Sequence, residues 1–130
     1  MNTAGIGNSG THVARVSEED TAVQMGSGDV PVLATPRVIA WLEAAAVAAL
    51  GRLPEEMTSV GLHISVDHTS PTPVGAVVRA VAEVRAVDGK RIEFDVRAFE
   101  GDRVVAGGRH TRLIVDRHRF LTRAGQARQH

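Results

Sequence analysis

Thr35-Pro36-Arg37-Val38-Ile39-Ala40-Trp41-Leu42-Glu43-Ala44-Ala45-Ala46-Val47-Ala48-Ala49-Leu50-Gly51 is the run on which the fold turns. Thr35 suits a helix N-cap, Pro36 sits where a missing N–H costs nothing, and Gly51 suits the stop. Between Arg37 and Arg52 the only charge is Glu43. A helix that is apolar all round is a buried one, here about 20 Å long. Burying an ionised carboxylate costs several kcal/mol unless it is paired or hydrogen-bonded. Glu43 is therefore either half of an ion pair, with Arg79 or Arg112 as partner, or a site residue tuned by burial.

Downstream of the helix the period changes from helical to two. Val60, Leu62, Ile64 and Val66 alternate with Gly61, His63, Ser65 and Asp67, which predicts a half-buried strand ending at His68. The breaker Ser70-Pro71-Thr72-Pro73-Val74-Gly75 follows. Val78, Ala80, Ala82, Val84 and Ala86 predict the inner face of the next strand, and Asp88-Gly89 a tight hairpin. Ile92, Phe94, Val96 and Ala98 predict the inner face of the return strand. Glu100-Gly101-Asp102 turns into a last strand, Arg103 to Val115, in which Gly107-Gly108 marks a bulge or a close backbone approach.

Upstream, Thr11 to Val16 reads as a first strand and Glu18-Glu19-Asp20 as an acidic turn, before loop chemistry from Thr21 to Pro31. Residues 1–10 read as a flexible N-terminal segment, 11–117 as the folded domain and 118–130 as a basic C-terminal tail, surface-lying or disordered. A helix with no polar face must be wrapped, and a curved antiparallel sheet is the simplest wrapper. The expected class is α+β.

Composition narrows the function. The 130 residues carry 15 Lys+Arg against 15 Asp+Glu, so no global field argues for nucleic acid. With no Cys there is no disulfide, thiolate nucleophile or zinc-thiolate site. Aromatics make up 3%, which disfavours base-stacking platforms. No basic n-region with an apolar run follows Met1, and no stretch is long enough to span a membrane. The expectation is a soluble, cytoplasmic protein with neither nucleic-acid nor membrane partner, and with no metal or other cofactor. His63 and His68, five apart, point to opposite faces of a strand and do not make a metal site.

The order of these pieces resembles the hot-dog fold thioesterases, in particular the fluoroacetyl-CoA thioesterase type. The resemblance covers roughly residues 11 to 120. It rests on Ala34-Thr35 with Glu43 eight residues on, Gly61 leading to His68, His68-Thr69 before Pro71-Thr72-Pro73, and the Gly-Gly-x-His-x-Arg run ending at Arg112. It implies one long helix wrapped by a curved sheet, and homodimers or higher oligomers with sheets joined edge to edge and acyl-CoA sites at the interface. It further implies Thr35, Glu43 and His68 as the catalytic group, with Gly61 and Arg112 as substrate-binding positions. In the fluoroacetyl-specific type, Phe side chains before the helix cover the acyl group. Here that segment is Gly26-Ser27-Gly28-Asp29-Val30-Pro31, with no aromatic.

Thioester hydrolysis needs an activated nucleophile and donors for the oxyanion, without a metal in principle. Glu43 suits a general base or attacking carboxylate, His68 has the side chain best suited to moving protons near neutrality, and Thr35 suits either orienting a water or being acylated itself. Residues eight apart on a helix are separated by about 12 Å along the axis, so Thr35 and Glu43 do not touch as helix neighbours. The expected activity is hydrolysis of a small to medium acyl-CoA. The alternative is a non-catalytic hot-dog dimer that binds an acyl-CoA or related ligand. A hydratase of the same fold fits less well, because Asp67 and His68 are adjacent and point apart.

Overall fold

The helix forms where the sequence places it. In the computed structural model, which describes residues 5–128, it runs Thr35–Leu50 as α2. Ahead of it lie β1 (Ser9–Arg15), a 3-10 turn (Glu18–Asp20) and the short α1 (Ala22–Met25). Behind it come β2 (Met57–His68), β3 (Val77–Asp88), β4 (Arg91–Glu100), β5 (Arg103–Asp116) and α3 (Arg117–Arg128). The strands form one antiparallel sheet in the order β1-β3-β4-β5-β2, leaving β1 and β2 as its edges. The sheet curls over α2, and the core is what lies between them. Val38, Trp41, Leu42, Ala45, Ala46 and Ala49 of the helix are buried against Val78, Ala80, Ala82, Val84, Ile92, Phe94, Val96 and Ala98 of β3 and β4.

Small residues set how closely helix and sheet approach. A Cβ on Gly10 of β1 would lie 2.3 Å from Ala49 N and 2.4 Å from Ala45 O, so this strand rests directly on helix backbone. A Cβ on Gly108 would lie 1.9 Å from Ser65 O, which is the close backbone approach expected of that glycine. Both hairpins turn on a glycine of positive φ, Gly89 at 62° and Gly101 at 59°, where side chains are disfavoured. Asp88 itself stays in β3 and pairs with Arg91, so the two turn residues are Gly89 and Lys90.

The expected parity of β2 is corrected. An extra residue, Leu62, separates Gly61, paired with Arg112, from His63, paired with Thr111. Such a bulge exchanges the faces of everything beyond it. Ser59 and Gly61 before it face the helix, as do Ile64, Val66 and His68 after it, while Leu62 is left 47% exposed. Further bulges fall at Arg85 in β3, which takes Ala86 off the expected inner face to pair with Glu93, and at Val105 in β5, not at Gly107-Gly108.

Four further readings change. The N-cap of α2 is Ala34, with Thr35 as the first helical residue. Ser9 and Gly10 belong to β1, and Gly7 N–H and Asn8 C=O are bonded to Val84, so the sheet reaches into the segment read as flexible; residues 1–4 lie outside the described residues. The basic tail is helical, with Asp116 Oδ1 accepting from Arg119 N–H at 2.9 Å, and exposed along its described length. Nor is α2 buried on every side. Ala40, Val47 and Ala48 are exposed, Val47 by 48%, and Ile39, Glu43 and Ala44 are half-buried on the same outward row.

Candidate active site

Two clusters form, each uniting α2 with a distant strand. The first lies at the helix N-terminus. With the cap position taken by Ala34, the Thr35 hydroxyl is free of capping duty and lies 2.8 Å from His68 Nδ1, at the far end of β2. Burial pulls the His68 pKa below its usual 6.5, and the backbone of Ser70 partly opposes this. The ring is therefore mostly neutral at pH 7, and in the tautomer with its hydrogen on Nε2 the Nδ1 lone pair accepts from the Thr35 hydroxyl. His68 Nε2 is buried with no hydrogen-bond partner among the described residues. Thr35 N–H, first in the helix, has no i−4 acceptor and makes no other backbone bond among the described residues, which leaves it open at the positive end of the helix. Thr35 and His68 open onto a cavity of about 340 Å³, walled by Ser27, Gly28, Asp29 and Val30 from the preceding loop.

The second cluster is two helical turns further on. Glu43 Oε2 lies 3.4 Å from Arg112 NH1 and 3.8 Å from His110 Nε2. Arg112 is the partner that the lone helix carboxylate required; Arg79 instead stacks over Phe99 at 4.6 Å. Arg112 is itself held on three sides. Its Nε donates to Ser59 Oγ (2.9 Å), its NH2 to Ser59 O (3.2 Å) and its NH1 also to His110 Nε2 (3.1 Å). Burial lowers the Arg112 pKa and Glu43 opposes this, but an arginine stays charged. Gly61 is the floor beneath Glu43, since a Cβ there would sit 2.8 Å from Oε2. Gly61, Leu62, His63 and Ile64 border a cavity of about 250 Å³ in front of the carboxylate.

Within one chain, then, Thr35 meets His68, and Glu43 meets Gly61 and Arg112. Glu43 bonds to neither Thr35 nor His68. His110 and Ser59 complete the second cluster and were not singled out for it from sequence. The signal was there, since Ala106, Gly108, His110, Arg112 and Ile114 share one strand parity, which places a His and an Arg on a core-facing row.

A curled antiparallel sheet wrapped around one long helix is the architecture of the hot-dog thioesterases. Residues 16–118 match the family model described as "Fluoroacetyl-CoA-specific thioesterase". The chain belongs to that family. It is 33% identical over 96 residues to the fluoroacetyl-CoA thioesterase of Streptantibioticus cattleyicolor, covering 73% of this chain and 69% of that one. The solved structure of a fluoroacetyl-CoA thioesterase superposes with a TM-score of 0.89 at 28% identity, over 96% of this chain and 98% of that one. A variant of such an enzyme bound to fluoroacetate and CoA superposes at 0.84 with 29% identity, over 89% and 98%. A Thermus thermophilus member of the thioesterase superfamily, 23% identical, shares the fold with a TM-score of 0.90 over 99% and 96%. The protein is accordingly a thioester hydrolase of hot-dog fold acting on acyl-CoA. No described helix is long and apolar enough to cross a membrane.

Proposed function

We propose that this chain hydrolyses small to medium acyl-CoA thioesters as a homodimer, with each site drawn from two protomers. The observation that carries the reading is the 2.8 Å contact of the Thr35 hydroxyl with His68 Nδ1. That spacing leaves no room for a water between them, so the group His68 deprotonates is the hydroxyl itself. Thr35 Oγ attacks the thioester carbonyl carbon as its proton passes to His68. The oxyanion takes the free Thr35 N–H at the helix start. Collapse expels the CoA sulfur, which recovers the proton from His68, and leaves an acyl ester on Thr35. Water then attacks the ester carbonyl as a general base takes its proton; the acyl C–Oγ bond breaks, the proton passes from the base to the departing Thr35 Oγ, and the acid is released with the hydroxyl restored.

Glu43 is the base we assign to the second step. On its own chain it stands about 12 Å along the axis from Thr35. Pairing the free β2 edges of two copies antiparallel about a two-fold axis runs the two α2 helices in opposite directions. That sets Glu43 of the partner subunit toward Thr35 and His68 of the first. In support, β2 is a 12-residue edge strand bearing the exposed Leu62, and the outward row of α2 is apolar except for Glu43. Unpaired edges of this length are rarely left open, and two-fold pairs are the commonest remedy. Gly61 and Arg112 serve the substrate through Glu43, which they seat.

The test is complementation. Thr35→Ala and Glu43→Gln chains are each inactive as homodimers and are mixed to form heterodimers. If a site takes Thr35 from one chain and Glu43 from the other, the heterodimer holds one intact site and regains about half the activity per dimer. If each site lies within one chain, no activity returns. Acyl specificity is read from kcat/KM for acetyl-, butyryl- and fluoroacetyl-CoA. The loop bordering the cavity carries Gly28 and Asp29 and no aromatic, so fluoroacetyl-CoA gains no preference over acetyl-CoA.

A further inference from the structure

His110 is buried to 1% exposure, yet the reaction above assigns it nothing. Its hydrogen bonds fix its proton. Arg112 NH1 approaches Nε2 at 3.1 Å and carries only donors, so Nε2 must offer its lone pair. Nδ1 then carries the hydrogen and donates it to His63 O at 2.8 Å, across the strand from the bulge at Leu62. The two bonds demand one neutral tautomer. The approach of Glu43 Oε2 to the same Nε2, at 3.8 Å, is therefore no ion pair, because that nitrogen bears no proton. Desolvation acts in the same sense, keeping the ring below its usual pKa of 6.5, and the Arg112 charge adds to it. The groups facing the ring are Glu43 of α2, Arg112 of β5 and His63 of β2, with Phe94 of β4 stacked alongside at 6.0 Å.

Arg112 is thereby steered. Its Nε and NH2 are committed to Ser59, and its NH1 is aimed between His110 Nε2 and Glu43 Oε2. Without the ring acceptor, NH1 loses the bond that fixes its direction, and Glu43 loses the donor that fixes one oxygen above Gly61. We propose that His110 is a positioning residue, which orients the Glu43 carboxylate through Arg112. The proposal rests on Glu43 being the base of hydrolysis. His110 touches no substrate in this scheme. Its effect falls on the step that needs the carboxylate, not on binding.

Two replacements separate its two bonds. In His110→Gln the amide oxygen reaches the place of Nε2 and accepts from Arg112. In His110→Asn the shorter amide serves His63 O and leaves Arg112 without its acceptor. The measurement is steady-state kinetics with acetyl-CoA, per folded molecule, for both variants, for Glu43→Gln, and for Glu43→Gln combined with His110→Asn. The expected result is a fall in kcat of about tenfold or more in His110→Asn with KM within about twofold, and recovery of most of the rate in His110→Gln. The combined variant should be no slower than Glu43→Gln alone, because residues acting through one group are not additive. A wild-type kcat in His110→Asn, equal losses in Asn and Gln, or a further loss in the combined variant would overturn the brace while leaving Glu43 as base. Full activity in Glu43→Gln would overturn the base assignment itself, and the brace with it.

Discussion

The hydroxyl of Thr35 and Nδ1 of His68 meet at 2.8 Å across 33 residues of chain. The contact exists because two local choices coincide. Ala34 takes the cap position, which frees the hydroxyl, and the bulge at Leu62 turns the end of β2 so that His68 faces the helix. The cost of a wrong choice at Thr35 is then chemical rather than structural. If Thr35 is the nucleophile, as proposed, Thr35→Ala removes it without touching a helix cap, so turnover falls by about 10²-fold or more while the unfolding midpoint barely moves. Thr35→Ser keeps the hydroxyl and recovers most of the rate. Equal losses in Ala and Ser variants would reject the hydroxyl as nucleophile.

Gly61→Ala tests how tightly Glu43 is seated. The new methyl would fall 2.8 Å from Oε2, closer than a Cβ contact allows, but the obstacle is the end of a flexible side chain. Glu43 swings away and the backbone stays, so activity drops by tenfold or more with little change in stability. Gly10→Ala is the contrasting case. Its methyl would meet helix backbone at 2.3 Å, which cannot yield without separating β1 from α2. Overpacking of that kind costs about 1–3 kcal/mol, so Gly10→Ala should lower the melting temperature by several degrees while sparing the chemistry. Circular dichroism melts beside rate measurements distinguish the two. Identical outcomes for both glycines would contradict the geometry.

Much of the fold was legible because periodicity reports burial. The extent of the helix to Leu50 and the inner faces from Val78 to Val84 and from Ile92 to Ala98 were readable, since each is buried by the same sheet-on-helix contact, whereas Ala86 lies beyond a bulge at Arg85 and leaves that face. What alternation cannot reveal is an extra residue. Val60, Leu62, Ile64 and Val66 look like one face, but the bulge splits them and turns Ser59 and Gly61 inward. The sheet must curl sharply around a 16-residue helix, and a bulge is how a long strand bends. For the same reason Glu43, Gly61, Arg112 and His68 were each identifiable, whereas their grouping into two clusters was not. The helical tail was missed because its sequence has nothing to bury, and its helix is indeed exposed.

Two histidines, His110 buried and His68 half-buried, lower stability at acid pH. His68 and His110 both have folded pKa values below 6.5, chiefly through burial. Well above 6.5 both are neutral in folded and unfolded chains alike, and they contribute no pH dependence there. As pH falls below 6.5 the unfolded chain takes up protons first, so stability declines until the folded pKa values are passed. Asp116, with its pKa below 3.8 through bonds to the Arg119 backbone, acts only at still lower pH. Unfolding midpoints should be flat above pH 7 and fall between pH 6.5 and 5, with a shallower fall in His110→Gln. A midpoint independent of pH across that interval would contradict both depressed values.

Self-association is tested at Leu62. It is the bulged residue of an edge strand and half open to solvent, beside the apolar outward row of α2. A charge there would be buried by pairing of two β2 edges, whereas in a monomer it would stay in water. Leu62→Asp should shift the mass seen by light scattering toward the monomer and lower turnover in parallel, with the melt of the monomer little altered. A dimer of unchanged strength in Leu62→Asp would place the interface elsewhere and remove the two-chain site.

Glu43 decides between a charge that reacts and a charge that only holds the fold. Its carboxylate is 40% exposed and pairs with an Arg112 that is almost wholly enclosed. Stranding the buried partner of an ion pair costs about 3–5 kcal/mol when nothing replaces it. Glu43→Gln does replace it, because the amide oxygen still accepts from Arg112 NH1 and Ser59 keeps the other donors. With one partner this open to solvent, the stability change should remain near the scale of an exposed pair, about 1 kcal/mol or less. If Glu43 is the base, as proposed, loss of the charge removes it, and turnover should fall by about 10²-fold or more. His68→Ala should lose as much, through the first chemical step rather than the second. Burst kinetics separate them: Glu43→Gln releases one equivalent of CoA thiol per site and then stalls as the acyl-Thr35 ester, while His68→Ala gives no burst. A large loss of stability in Glu43→Gln with rate per folded molecule intact would make the carboxylate a structural counter-ion and nothing more.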